Sequence, residues 1–289
     1  MSMPTLAPGV LLAAVLLLGF APALRPAPPP VLVGAGDIAG CGWDDDEATA
    51  KLLDSIPGTV FTAGDDAYPN GTAAQFASCY GPTWGRHKAR TRPSPGNHDY
   101  RLAHGAAYYA YFGAAAGDSG RGYYSYELGG WHIISLNSNV PMSAGSAQER
   151  WLRTDLSLHP APCTLAYWHH PRFSSGTTHG SWTGPQPLWQ ALYAAGADVI
   201  VVGHEHQYER FAPQTPAGTL DTTRGIRQFV VGTGGASFYP LGPAIANSEV
   251  RNNTTHGVIK LTLRPRGYDW AFIPVAGGTF TDSGSGRCH

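Results

Sequence analysis

Residues 59–68 read Thr-Val-Phe-Thr-Ala-Gly-Asp-Asp-Ala-Tyr (TVFTAGDDAY). The first five are β-branched, aromatic or small, the composition of a short buried strand. Gly64 stops the run, and Asp65, Asp66 and Tyr68 follow at once. The same arrangement recurs along the chain: Val31–Gly36 runs into Asp37, Cys163–Trp168 into His169, and Val199–Val202 into Gly203-His204. Helix-patterned stretches lie between, at Asp46–Ser55, Ala147–Leu158 and Pro187–Ala195; in Gln148–Leu158 the apolar residues Trp151, Leu152, Leu156 and Leu158 share roughly one helical face. Alternating strand, polar loop and helix predicts an α/β core with polar residues at the carboxyl ends of its strands, where such sheets bind ligands.

Elsewhere the pattern changes. Tyr123–Leu128 and Trp131–Leu136, separated by Gly129-Gly130, predict a hairpin, and Gln228–Val231, Gly257–Leu263 and Tyr268–Pro274 read as antiparallel strands with little helix between them. Alternating βα units followed by a strand-rich tail predict a mixed α/β fold of two sheets covered by helices, in one domain over about residues 31–289.

Composition sets the bounds. The chain has 289 residues, 43% hydrophobic and 11% aromatic, enough for a large core and too many for a disordered chain. Nineteen basic against 20 acidic residues leave a net charge of −1, which argues against a nucleic-acid partner gripped through its phosphates. The 37 glycines and 24 prolines follow no Gly-X-Y period and mark many turns. Residues 1–23 carry no charged side chain; Val10–Phe20 is an apolar run of 11 residues, short of the ~20 needed to span a bilayer, and Ala21-Pro22-Ala23 has the small-x-small form of a cleavage site. We therefore expect a signal peptide over 1–23, a Pro-rich spacer over 24–30, a secreted, periplasmic or cell-wall location, and no membrane partner after cleavage. Cys41, Cys79, Cys163 and Cys288 include no C-x-x-C pair and suit a disulfide-forming compartment. Four cysteines allow three pairings; Cys41–Cys79 with Cys163–Cys288 is preferred because the first two flank neighbouring loops.

Five short signatures carry the chemistry: Gly36-Asp37, Gly64-Asp65-Asp66-Ala67-Tyr68, Gly96-Asn97-His98-Asp99, Trp168-His169-His170 and Gly203-His204-Glu205-His206. Each sits where a strand stops, except the third, which follows a Pro-rich approach at Arg92–Pro95. A lone Gly-Asp is a common turn; five clusters of metal-ligating residue types in one chain are not explained as turns. In this order they resemble the motifs of the calcineurin-like metallophosphoesterases, and the tyrosine of the second motif resembles the purple acid phosphatase branch. The resemblance spans roughly residues 31–280 and implies a four-layer αββα sandwich, two mixed sheets packed face to face with helices outside. It also implies two adjacent metal ions: Asp37, Tyr68 and His206 on the first, Asn97, His169 and His204 on the second, and Asp65 bridging. His169 is taken rather than His170 because the family's ligand stands at the strand end with proline two residues on, and Pro171 fits.

The donor types agree with that assignment. A phenol with an ordinary pKa near 10 binds as phenolate only to a strongly polarising cation, so two carboxylates and Tyr68 suit Fe(III); Asn and two imidazoles suit Zn, Fe or Mn as divalent ion. The implied activity is hydrolysis of small phosphate monoesters by a metal-activated water, with His98 as proton donor to the leaving group, Asp99 orienting it, and His179, on the loop Phe173–Gly180, near the leaving group. Absence of histidine at position 39, which is Ala39, disfavours the diesterase branches, leaving a phosphodiesterase or nucleotidase as the alternative, and a non-catalytic secreted binding protein as a second. No G-x-S-x-G elbow supports a serine hydrolase. Tyr108–Phe112 and Tyr123–Tyr126 read as core packing, Arg86–Arg92 as a solvated turn, and Gly232-Thr233-Gly234-Gly235 as backbone passing close to the metal centre.

Overall fold

The computed structural model describes residues 1–5, 9 and 28–289; the expected signal segment Val10–Phe20 and its cleavage site at 21–23 lie outside the described residues. Strands β1 (Val31–Ala35), β2 (Ala39–Gly40), β3 (Thr59–Ala63), β4 (Ala67–Tyr68) and β5 (Thr91–Ser94) come first. They are followed by β6 (Tyr124–Leu128), β7 (Trp131–Ser135), β8 (Cys163–Tyr167), β9 (Val199–Val202), β10 (Tyr208–Phe211) and β11 (Arg227–Val231). The last are β12 (Ser248–Asn252), β13 (Gly257–Arg264), β14 (Gly267–Pro274) and β15 (Ser283–Arg287). One sheet has the order β15-β14-β13-β1-β3-β5, the other β12-β10-β11-β9-β8-β7-β6, and β2 pairs with β4 beside them. In the first sheet β1, β3 and β5 are parallel at one end and β13, β14 and β15 antiparallel at the other. In the second a parallel centre, β11-β9-β8-β7, has antiparallel flanks, the mixed two-sheet fold that the alternation predicts.

The unbroken apolar runs follow from burial on both faces. Along β9, Val199 and Val201 enter the core shared with the first sheet through Phe61, Ile259 and Leu261. Their neighbours Ile200 and Val202 pack beneath the outer helices with Leu152, Leu188 and Trp189. Ser146 caps the helix Ala147–Leu158 by accepting from Glu149 N. Leu152 of that helix is buried and Trp151 and Leu156 partly so, but Leu158, in its last turn, is 68% exposed and not part of the buried face.

Three expectations are corrected. The third signature also follows a strand: Thr91–Ser94 is β5, and Pro93 is tolerated because β5 is an edge strand. Strand β11 is antiparallel to β10 but parallel to β9. The stretch Arg86–Arg92 is no solvated turn; it falls mostly in a 3-10 segment, Trp84–Arg90, where Arg90 donates to the carbonyls of Leu53, Ile56 and Gly58 and Arg86 pairs with Asp54 and Glu47. Both arginines thus serve the carboxyl end and flank of the helix Asp45–Ser55. Cys41 bonds Cys79, and Cys163 bonds Cys288.

Under the outer helix, His132 places Nδ1 at 2.9 Å from Glu127 Oε1 and Nε2 at 2.8 Å from Asp155 Oδ2. Burial pulls the imidazole pKa down, but both carboxylates outweigh it and raise it above 6.5; burial likewise opposes, and His132 and Ser125 overcome, so that Asp155 falls below 3.8. A raised histidine stabilises the fold below its unfolded pKa and loses that as pH rises through the folded value; a depressed aspartate does so above its unfolded pKa. The ion pair therefore contributes most between about pH 4 and 6.5. Urea unfolding of wild type and His132→Gln should differ by about 1 kcal/mol more at pH 5.5 than at pH 8.5, a figure reduced for solvent screening. A pH-independent difference would contradict this.

Candidate metal centre

Asp37 follows β1, Asp65 follows β3 and His204 follows β9, each directly after a glycine at the strand end. All three have left-handed backbones, with φ of 62°, 54° and 71°. Such conformations are unfavourable for side chains other than glycine and gather where geometry serves chemistry. Crowding explains two of the neighbouring glycines. A Cβ on Gly96 would lie 2.1 Å from Asp65 Oδ1, and one on Gly64 would lie 2.7 Å from His169 Nδ1. These loops touch because their glycines lack side chains.

The seven expected ligand residues converge in two groups. Tyr68 Oη lies 3.0 Å from Asp37 Oδ1, 3.0 Å from Asp65 Oδ2 and 3.1 Å from His206 Nε2. On the other side, His169 Nε2 lies 3.0 Å from Asn97 Oδ1, 3.1 Å from His204 Nδ1 and 3.3 Å from the same Asp65 Oδ2. Asp65 is the member common to both groups. Its other oxygen, Oδ1, accepts from His98 N at 2.7 Å, and Asp37 Oδ2 accepts from His204 N at 2.8 Å. All but Asn97 and His204 are buried.

Proton counting shows what the cluster suits. His169 Nδ1 is 2.8 Å from the Ala63 carbonyl and His206 Nδ1 is 2.7 Å from the Ser237 carbonyl. A carbonyl accepts only, so each neutral ring carries its proton on Nδ1 and turns the lone pair of Nε2 inward. Those nitrogens face carboxylate and amide oxygens, with the single Tyr68 proton among three acceptors. Burial lowers both imidazoles, but Asp65 raises His169 to about 9 and Asp37 raises His206, so the cluster draws in positive charge, as protons or as metal ions. A concentration of electron pairs with too few protons is the donor chemistry of a cation site, and backbone-oriented imidazoles are a common support for one. Burial, then Asp37 and Asp65, push the Tyr68 phenol well above its usual value, so it ionises only against strong positive charge. The residues present fit two cations.

The other expected residues are placed less uniformly. His98 lies over Tyr68, ring centres 4.4 Å apart, with Nδ1 2.6 Å from the Pro69 carbonyl and Nε2 3.9 Å from Asp65 Oδ2. Asp99 is not against the His98 ring, contrary to its expected role; it is fully buried and accepts from the backbone N–H groups of Asp66, Ala67 and Gly96. Aspartate third in a helix turn reaches back to the turn's own start, which is why it faces away from its neighbour. His179 stacks near His204, ring centres 4.0 Å apart, at the cluster's margin. His170 turns Nδ1 to Ser138 Oγ at 2.7 Å, and burial, then His169, push it down to about 3.

Sequence reading missed three supports. Glu205, fully buried inside the fifth signature, accepts from His179 N at 2.7 Å and from Gly180 N, fixing the His179 loop. Residues 205, 207 and 209 alternate, and Glu209 holds Ser175 N at 2.8 Å of the same loop, a period-2 signal visible in Gly203–Glu209. Tyr239, which no motif marks, stacks on His206 with ring centres 3.9 Å apart. Gly232 does run close to Asp37: a Cβ there would lie 2.8 Å from Oδ2.

Two facing mixed sheets with this cluster at their strand ends define a metallophosphoesterase-type fold and site. The chain belongs to the calcineurin-like phosphoesterase family, which it matches over residues 24–208. Among curated proteins it is similar to purple acid phosphatase 15 of Arabidopsis thaliana, 28% identical over 61% of this chain and 40% of that one. Among solved structures it is similar in fold to the purple acid phosphatase from yellow lupin (Lupinus luteus) seeds, with TM-score 0.74, 18% identity, and coverage of 89% of this chain and 53% of the other. It is also similar to GAP50, the anchor in the inner membrane complex of Plasmodium, with TM-score 0.71, 14% identity, and coverage of 91% and 90%. The chain thus spans less than two thirds of the length of the plant proteins it matches.

Proposed function

We propose that residues 31–289 form one domain of a secreted phosphoesterase with a binuclear metal centre that hydrolyses phosphate monoesters, as its likeness to purple acid phosphatases suggests. The carrying observation is the meeting of two donor groups on Asp65 Oδ2, with imidazole Nε2 atoms facing carboxylates. Asp37, Tyr68 and His206 would hold one ion, Fe(III) by their charge; Asn97, His169 and His204 would hold a divalent Zn, Fe or Mn, with Asp65 between. When bound, such a pair polarises phosphoryl oxygens and acidifies water.

The chain's own groups do the rest. His98 donates its Nδ1–H to the Pro69 carbonyl in a hydrogen bond, which leaves Nε2 as the atom that can carry a proton to the departing alkoxide. His179, partly exposed beside His204, is the second group able to meet the leaving oxygen, on a loop whose backbone Glu205 holds. Asp99 ties the β3 and β5 loops and so sets the spacing of Asp65 and Asn97. The two disulfides and the apolar run Val10–Phe20 support export.

Metal-loaded protein should hydrolyse p-nitrophenyl phosphate between pH 4 and 8 and prefer monoesters to bis-esters in a substrate panel. Loss of turnover with two metal ions bound would favour a binding protein, and preference for diesters would move the assignment to that branch. The iron-loaded protein should be coloured by phenolate-to-iron charge transfer, and Tyr68→Phe should bleach the band while far-UV circular dichroism stays unchanged. A persistent band in Tyr68→Phe would remove that residue from the centre.

A further inference from the structure

Most tryptophans of the chain are structural: Trp84, Trp131, Trp168 and Trp189 are fully buried and Trp270 nearly so. Trp43 and Trp182 differ, at 39% and 44% exposure. Scattered exposed apolar residues need no explanation, but these two each lie beside a ring at or next to the candidate centre. The Trp43 ring centre is 5.2 Å from that of Tyr68. The Trp182 ring centre is 5.2 Å from that of His170, which is itself 4.2 Å from His204. One indole thus adjoins the Tyr68 group and the other adjoins the His204 group.

Both indoles are also seated. Each lies across a glycine: a Cβ on Gly40 would come within 2.4–2.6 Å of three Trp43 ring atoms, and one on Gly184 within 2.5–2.7 Å of three Trp182 ring atoms. An exposed indole is ordinarily free to sample rotamers; packing onto bare backbone removes that freedom before any partner arrives, the condition that makes stacking effective in binding. The partly exposed imidazoles of His98, over Tyr68, and His179, beside His204, add further π-faces next to the same two groups.

We infer that the site is built for phosphate esters whose leaving group carries a flat aromatic ring, an aryl or nucleoside phosphate, with the ring stacked on Trp43 or Trp182 while the phosphate meets the metal cluster. This rests on the phosphoesterase reading above. A stacked ring is worth roughly tenfold in affinity or more, whereas a small aliphatic alcohol gains nothing from an indole.

The test uses metal-loaded wild type, Trp43→Ala, Trp182→Ala and the double variant, with phenylphosphonate and methylphosphonate as non-hydrolysable probes measured by calorimetry. The parallel kinetic arms are phenyl phosphate, a nucleoside monophosphate and glycerol 2-phosphate. At least one single variant should weaken phenylphosphonate severalfold, and the double variant roughly tenfold, with methylphosphonate and glycerol 2-phosphate within twofold of wild type. Gly184→Ala and Gly40→Ala, which unseat the indoles without removing them, should reproduce part of the loss. Equal losses for aromatic and aliphatic probes, or no loss for either, overturn the stacking site while turnover of esters still supports the phosphoesterase. If the wild type binds neither phosphonate and turns over no ester, both fall together.

Discussion

Asp65→Asn should lower kcat/KM for a phosphate monoester by roughly 10³-fold or more while costing the metal-free fold only a modest part of its stability. The two halves of this result have different causes. Asp65 Oδ2 is the atom nearest both donor groups, 3.0 Å from Tyr68 Oη and 3.3 Å from His169 Nε2. An amide there halves the charge that the two carboxylates present and turns an N–H toward one side or the other. Metal content by mass spectrometry should drop below two ions per chain. The fold should lose only part of its stability, because Asn can keep its oxygen toward His98 N. Burial of the carboxylate is outweighed by His169 and His98, which hold Asp65 well below its usual range, and that pairing is lost with the charge. A variant with full metal content and more than a tenth of wild-type activity would show that Asp65 is not shared.

Asp99→Ala should have the opposite profile, failing first in stability. Its carboxylate is fully buried and receives three backbone N–H groups, from Asp66 at 3.0 Å, Ala67 at 3.3 Å and Gly96 at 2.9 Å. Alanine leaves all three donors without acceptors in a site closed to water, at about 1–3 kcal/mol each and less than additively. A loss of about 3–5 kcal/mol is expected from urea unfolding of the metal-free protein. Asp99→Asn is the control: its oxygen can still serve Asp66 and Ala67, while its amide nitrogen opposes Gly96 N–H, so the cost should be about 1–2 kcal/mol. Since the β3 and β5 loops carry Asp65 and Asn97, activity should fall with the alanine variant through metal affinity, visible as a higher metal requirement. Destabilisation below 1 kcal/mol would mean the loops are held by something else.

These two residues also mark what was legible in the chain. Strand runs such as Thr59–Ala63 and Val199–Val202 could be read to the residue because they are β-branched, aromatic or small throughout and a glycine follows each at once. The seven clustered donors could be read because they fall in five short signatures, all but the one holding Asn97 at a legible strand stop. Asp99 was misread because adjacency in sequence says little about adjacency in space: in a helical turn its side chain points back to Gly96, away from the His98 ring. Strand β5 was hidden by Pro93, whose missing N–H matters little on an edge. Strand β15, Ser-Gly-Ser-Gly-Arg, has almost no strand composition of its own and exists by pairing along Tyr268 and Trp270 of β14. Tyr239 acts through a contact with His206, 33 positions away in the chain, which no local pattern carries.

That last strand has a practical consequence for making the protein. Its glycines lie over the aromatic faces of Tyr268 and Trp270, and Cys288, one residue beyond it, is bonded to Cys163 at the start of β8. A host cytosol that keeps thiols reduced would leave this glycine-rich ribbon to detach and bare two large rings on an open sheet border, an invitation to aggregate. Recombinant yield should accordingly depend on the redox conditions of the host more than on temperature or codon choice, and Cys288→Ser produced in an oxidising compartment should precipitate as the cytosolic product does.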